Sequence, residues 1–66
     1  MTNDNTLRKN MFEELQREAD TIKRYESSSL AEIFIDKLLH NKDFVERLTN
    51  TKIDIDHNWK LIIKEN

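Results

Sequence analysis

The histidines and their neighbouring aspartates are the residues of this chain with the clearest chemical reach. Asp36 and His40 lie four positions apart, which on a helix would place them on one face, and Asp54, Asp56 and His57 cluster in a short polar segment. Either set could begin a metal site. A structural zinc site takes four Cys or His ligands, and a catalytic one usually takes three protein ligands at recognisable spacing. The chain has two histidines and no cysteine, so it meets neither pattern unless distant segments converge. Pairing of Asp36 with His40 on a wet helix face, and turn-forming aspartates at 54 and 56, account for the same residues without a metal. Neither a metal nor a cofactor is expected.

Nucleophilic catalysis has equally little to work with. Ser27, Ser28, Ser29, the threonines and Tyr25 carry hydroxyls, but none stands beside a base that would activate it. Glu13 with Glu14, and Asp54 with Asp56, have no spacing that assigns them acid and base roles. The chain contains no glycine, and a phosphate-cradling loop, a dinucleotide-binding turn or a nucleophile elbow all need one for close backbone approach. The expectation is a protein that is not an enzyme.

Two kinds of macromolecular partner remain. A helix-turn-helix reading of residues 29–40 and 43–50 meets the difficulty that Asp43 to Asn50 carries two acids, one Arg and a largely apolar remainder, where a recognition helix needs Arg, Lys, Asn or Gln aimed at bases and phosphates. Arg8, Lys9, Arg17, Lys23 and Arg24 load the first helical segment with positive charge, but Glu13, Glu14, Glu18 and Asp20 are interleaved among them. The net charge is −2, without the basic excess typical of nucleic-acid modules. A small dimeric DNA-associated or transcriptional regulator, with Arg17, Lys23 and Arg24 as its contacts, is therefore the alternative. Protein binding is favoured: five aromatics in so short a chain exceed what one small core consumes, and aromatics are favoured interface anchors. Trp59, Phe34 and Phe44 are expected to supply the core. Phe12 and Tyr25 flank the main stripe of the first helix and are expected to meet a partner, and Trp59 joins them as a third candidate through a terminal strand at a sheet edge.

The elements that must hold these residues follow from apolar spacing. Met1 to Asn5 has no periodicity and reads as a frayed start. Leu7, Met11, Leu15, Ala19, Ile22 and Tyr25 recur at steps of four and three, with Phe12 widening the stripe, which predicts a helix capped by Asn5 or Thr6. Glu13 with Arg17 and Asp20 with Arg24 are expected to pair on its solvated face. Phe12, Leu15, Ala19 and Ile22 fit two heptads, enough for a short helix-helix seam but not for a long coiled coil. Ser27 to Ser29 interrupt the helix, and Ser29 with Glu32 matches a capping box. A second helix then carries Leu30, Ile33, Phe34, Leu38, Val45 and Leu48, and Ala31, Ile35, Leu39 and Phe44 make its apolar surface broad enough for more than one neighbour. His40 to Asp43 predicts a bend in it, or a break with Asp43 capping a short third helix. After Asn50 the period falls to two, giving strands around Ile53 to Ile55 and Trp59 to Lys64 joined at Asp56, His57 and Asn58. The rival is a short helix capped by Asp56.

Length and composition set the frame for these elements. Sixty-six residues make one domain, 1–66, of marginal burial, and without cysteine a disulfide cannot reinforce it. A second copy or another protein would. The absence of cysteine, of an apolar leader and of any membrane-length apolar run suits the cytoplasm, with no membrane partner. Chains of average usage would hold about eight glycines and prolines together, and this one has none. Asn41, Asn50 and Asn58, which tolerate left-handed backbone, are the expected breakpoints. Abundant Asn, Lys and Ile suit an AT-rich bacterial or bacteriophage genome. The expected fold is α+β in ααββ order, an αα-hairpin packed on a C-terminal β-hairpin. The expected role is that of a small inhibitor, adaptor or regulatory accessory protein, self-associating as a homodimer through helix 1 or the terminal strand.

Overall fold

A computed structural model describes residues 4–65 and shows two helices, α1 (Asp4–Arg24) and α2 (Ala31–Thr49), followed by strands β1 (Thr51–Ile55) and β2 (Leu61–Glu65). The helices form a hairpin, and the strands pair antiparallel in the register Ile53↔Ile63 and Ile55↔Leu61. The expected α+β architecture is the observed one.

α1 is built from good helix formers with neither glycine nor proline to interrupt it, and Lys23 and Arg24 place positive charge in its last turn. Asn5 and Thr6 lie inside it, so neither is its cap; of the expected frayed start, Asp4 and Asn5 are helical and residues 1–3 lie outside the described residues. The link to α2 is a chain of tight turns, with Ser28 N–H donating to the Tyr25 carbonyl at 2.8 Å and Ala31 N–H to the Ser28 carbonyl at 3.1 Å. The capping box does not form. Leu30 holds the N-cap position in right-handed backbone without a side-chain cap, and it is Ser28 Oγ that accepts the Leu30 N–H, at 3.1 Å.

α2 runs unbroken through His40–Asp43, without a break and without a separate third helix capped by Asp43. The reason is visible at Asn41, whose side-chain amide donates to Glu18 of α1 at 2.8 and 3.0 Å to the two carboxylate oxygens. A polar residue read as a breakpoint is instead an interhelical tie. Asn50 does end the helix, in left-handed backbone (φ 54°, ψ 47°), with its N–H on the Glu46 carbonyl. Asparagine stands there for the glycine usual at this position.

The core is one layer of Leu15, Ala19, Ile22, Leu38, Val45 and Ile53, with Met11, Phe12, Phe34, Ile35, Ile55, Trp59 and Leu61 packed around it. Several expected core positions are not in it: Leu7, Leu30, Ile33, Phe44 and Leu48 are exposed, and so is Tyr25 at the end of the α1 stripe. One small sheet can cover only one side of two helices. β1 lies against α2 and β2 against α1, and these residues face the side the sheet leaves open.

Leu38 is fully buried in the middle of this layer. Leu38→Ala is expected to lower unfolding free energy by about 2 to 5 kcal/mol in a denaturant titration. Deleting residues 51–66 removes Ile53 and with it one wall of the layer, and is expected to abolish the cooperative transition. An unchanged transition in either variant would contradict the core described.

Candidate interaction surface

The β-hairpin loop is the most specifically built polar feature, and it shows what the aspartates are for. Trp59 N–H donates to the Asp56 carbonyl and Asp56 N–H to the Lys60 carbonyl, both at 3.0 Å. Asp56 Oδ1 accepts from the N–H groups of Asn58 and Lys60, both at 2.9 Å. This is a turn followed by one residue in left-handed backbone, the position usually given to glycine. Here it is Trp59, at φ 63°, an uncommon conformation for a bulky residue. Trp59 therefore belongs to the loop and not to the strand expected from its alternation. Gln16 of α1 holds it in place, donating from Nε2 to the Trp59 carbonyl at 2.9 Å while its Oε1 accepts the Leu61 N–H at 3.1 Å.

Both outer edges of the ribbon are thus tied to the helices by a side chain. On the β1 edge Glu46 Oε2 accepts the Ile53 N–H at 2.7 Å and also pairs with Lys42 at 3.3 Å. On the β2 edge the tie is Gln16 at Leu61. The buried Thr51 hydroxyl donates to Thr49 Oγ1 at 2.7 Å, because the single Thr49 proton is used on the Val45 carbonyl. Outward-turned amides at Ile53 and Leu61 fix the alternation, so Ile63, two residues after Leu61, also turns its N–H and carbonyl away from β1.

The residues considered for chemistry have structural surroundings. Asp36 and His40 are both exposed on α2. Asp54 pairs with Lys64 at 3.5 Å, and His57 is exposed in the loop. Among the described residues no three metal-ligating side chains come together. Arg17 pairs with Glu14 at 2.7 Å instead of Glu13, and Asp20 accepts from Gln16 at 3.0 Å. Arg17, Lys23 and Arg24 are exposed on α1, and helical spacing puts Arg17 and Arg24 on the outer side together with Glu13 and Asp20.

Of the three residues expected to meet a partner, Phe12 and Trp59 are half-buried against the core on the hairpin side. Tyr25 is exposed about 20 Å further along α1, its ring 5.5 Å from that of Phe34. They do not make one patch. Phe12 lines a groove of about 490 Å³ between α1 and β2 with Lys9, Gln16, Leu61 and Ile63, bridged by the Arg8–Glu65 ion pair at 2.8 Å. Arg8 Nε is buried there without a hydrogen-bond partner. On the opposite side, the crease between the helices holds two hollows. One, of about 320 Å³, is lined by Met11, Glu14, Asn41 and Phe44, and the other, of about 240 Å³, by Glu18, Thr21, Phe34 and Lys37. Sequence reasoning missed this side by assigning Phe44 to the core, although the breadth of the α2 apolar surface signalled it. Compared with protein-family models, curated proteins and solved structures, the chain matches none. Among the described residues, no helix is long and apolar enough to cross a membrane.

The Lys60 backbone N–H holds the Asp56 carboxyl below its ordinary value of 3.8; desolvation opposes the shift, while the Asn58 N–H and the charges of His57 and Lys60 reinforce it. A lowered folded value means that this carboxylate stabilises the fold above pH 3.8 and that the contribution is lost as pH falls through the folded value. Asp56→Ala should lower the melting temperature at neutral pH and flatten its decline below pH 4, whereas Asp56→Asn, which keeps an Oδ1 acceptor, should recover part of the loss. Equal effects of the two substitutions would show that the turn does not depend on this acceptor.

Proposed function

We propose that this chain is a non-enzymatic protein–protein interaction module, a small inhibitor, adaptor or regulatory accessory protein of bacterial or bacteriophage type, acting in the cytoplasm and carrying out no chemistry of its own. The observation that carries the reading is the groove between α1 and β2. Along it, the β2 edge turns the Ile63 N–H and carbonyl outward beside the apolar surface of Phe12 and Leu61. An extended segment of a partner protein can satisfy both: main-chain hydrogen bonds on the edge give affinity, and alternate side chains entering the groove give selectivity. Lys9 and Glu13 at its rim offer charges of both signs for choosing among partners. Phe12 is the central contact in this reading, Trp59 shapes the end of the groove through Gln16, and Tyr25 lies outside it.

Affinity capture from lysate of the cells that make the protein, with and without nuclease, tests the reading. The expected result is a nuclease-resistant protein partner that is retained by the wild type and lost by Ile63→Pro. That substitution removes only an outward N–H, so the strand ladder and the melting curve should be little changed. Retention of the same partner by Ile63→Pro would overturn edge pairing. Capture of DNA or RNA, lost on nuclease treatment, would favour the dimeric nucleic-acid reading and make Arg17, Lys23 and Arg24 the residues to substitute next.

A further inference from the structure

The side of the helical hairpin that the sheet leaves open carries the most exposed apolar residues of the described chain. Ile33 is 64% exposed, Phe44 61% and Leu48 60%, and Leu30 lies on the same flank of α2. Helical periodicity puts Leu7 and Tyr25 on the facing flank of α1, and the two hollows of the crease lie between them. A large side chain presents roughly 200 Å² when fully exposed, so these six leave on the order of 600 Å² of apolar surface in water. That stands at the upper end of the largest patch a typical monomer leaves exposed, and it is comparable with the apolar share of an interface of about 800 Å² per partner.

The placement of an exposed ring and a hollow on this flank argues for a second copy as its occupant. Positions 33, 37, 44 and 48 are spaced four, seven and four apart, a series that reads the same in both directions along α2. Two copies of α2 packed antiparallel about a twofold axis between residues 40 and 41 set Ile33 of one copy beside Leu48 of the other. The same axis sets Phe44 of one copy over Lys37 of the other. At that point the second copy offers the hollow of about 240 Å³ lined by Phe34, Lys37, Glu18 and Thr21, so an exposed ring meets an apolar floor with a cation at its rim. A twofold interface must be self-complementary, and here the ring of each copy meets the hollow of the other.

We propose that this open face is the interface of a homodimer, formed by antiparallel packing of α2 against α2 with Phe44 seated in the Phe34–Lys37 hollow of the second copy. This differs from self-association through helix 1 or the terminal strand, and it stands independently of the groove on β2, which the dimer leaves open on the outer sides.

Sedimentation velocity from micromolar to millimolar concentration tests it, on a chain of 8.0 kDa. The wild type should double in mass, and Phe44→Glu should remain monomeric with the melting curve of a folded protein, since Phe44 contributes little to the core. A wild type that stays monomeric throughout, or a Phe44→Glu variant as dimeric as the wild type, overturns the proposal. Should Phe44→Glu fail to fold, the cysteine-free background gives a second measurement. Ile33→Cys mixed with Leu48→Cys should cross-link on mild oxidation, whereas Ile33→Cys alone should not, because its two copies lie about 22 Å apart along the helices. Cross-linking by Ile33→Cys alone, or no cross-link in the mixture, contradicts the antiparallel arrangement. Partner capture lost by Ile63→Pro with the dimer intact, or the reverse, separates this proposal from the groove reading.

Discussion

Burial of Ile53 between the two helices is the contact on which the rest of the fold depends. A two-stranded ribbon is marginal in water, and two helices meeting along one stripe leave part of that stripe wet. Ile53 closes both deficits: fully buried, it joins Leu15, Ala19, Leu38 and Val45 in a single layer. The polar contacts around it secure that position. Glu46 takes the Ile53 amide on one edge, Gln16 takes Leu61 and Trp59 on the other, and Asn41 ties α2 to Glu18 of α1. Each of these three side chains links two elements that neither propensity nor pattern would hold in register.

A core of one layer has a consequence for function. The sheet covers one side of the helical pair and the other remains open, so the chain cannot bury all the apolar residues it carries. Their positions are ordered: the open flank of α2 carries Ile33, Phe44 and Leu48, and the β2 edge combines outward main-chain groups with an apolar groove. Small size makes enclosed chemistry difficult, and the proposed function rests on surfaces instead. Two of the groups with chemical reach are engaged structurally, Asp56 as the acceptor of the hairpin turn and Asp54 in a cross-strand ion pair.

The architecture was legible in the sequence wherever a periodicity was clean. The four-and-three spacing around Leu15, Ala19 and Ile22, and the alternation at Ile53 and Ile55, lead to the observed elements, and Asn50 ends α2 in the left-handed backbone its type tolerates. What was not legible depends on partners distant in the chain. Asn41 looks like a breaker until Glu18 faces it. Ser29 and Glu32 match a capping box, but Ser28 takes the amide. Trp59 alternates like a strand residue, yet it occupies the left-handed position of a turn whose acceptor is Asp56. For the candidate surfaces, the types Phe12, Tyr25 and Trp59 could be picked out, but not that they fall in separate places. Phe44 was misplaced because helical spacing alone does not say which side of a broad apolar face a small sheet will cover.

In the proposed dimer, one side of this chain is closed by its sheet and the other by a copy of itself. Amide chemical shifts followed by nuclear magnetic resonance from millimolar to micromolar concentration test this most directly, because they locate the change residue by residue. The proposed dimer predicts concentration-dependent shifts at Ile33, Lys37, His40, Phe44 and Leu48, with Arg17, Lys52 and Ile62 unmoved. Shifts confined to Ile62 through Glu65, or no shifts at any residue of a chain that tumbles as a monomer throughout, would contradict it.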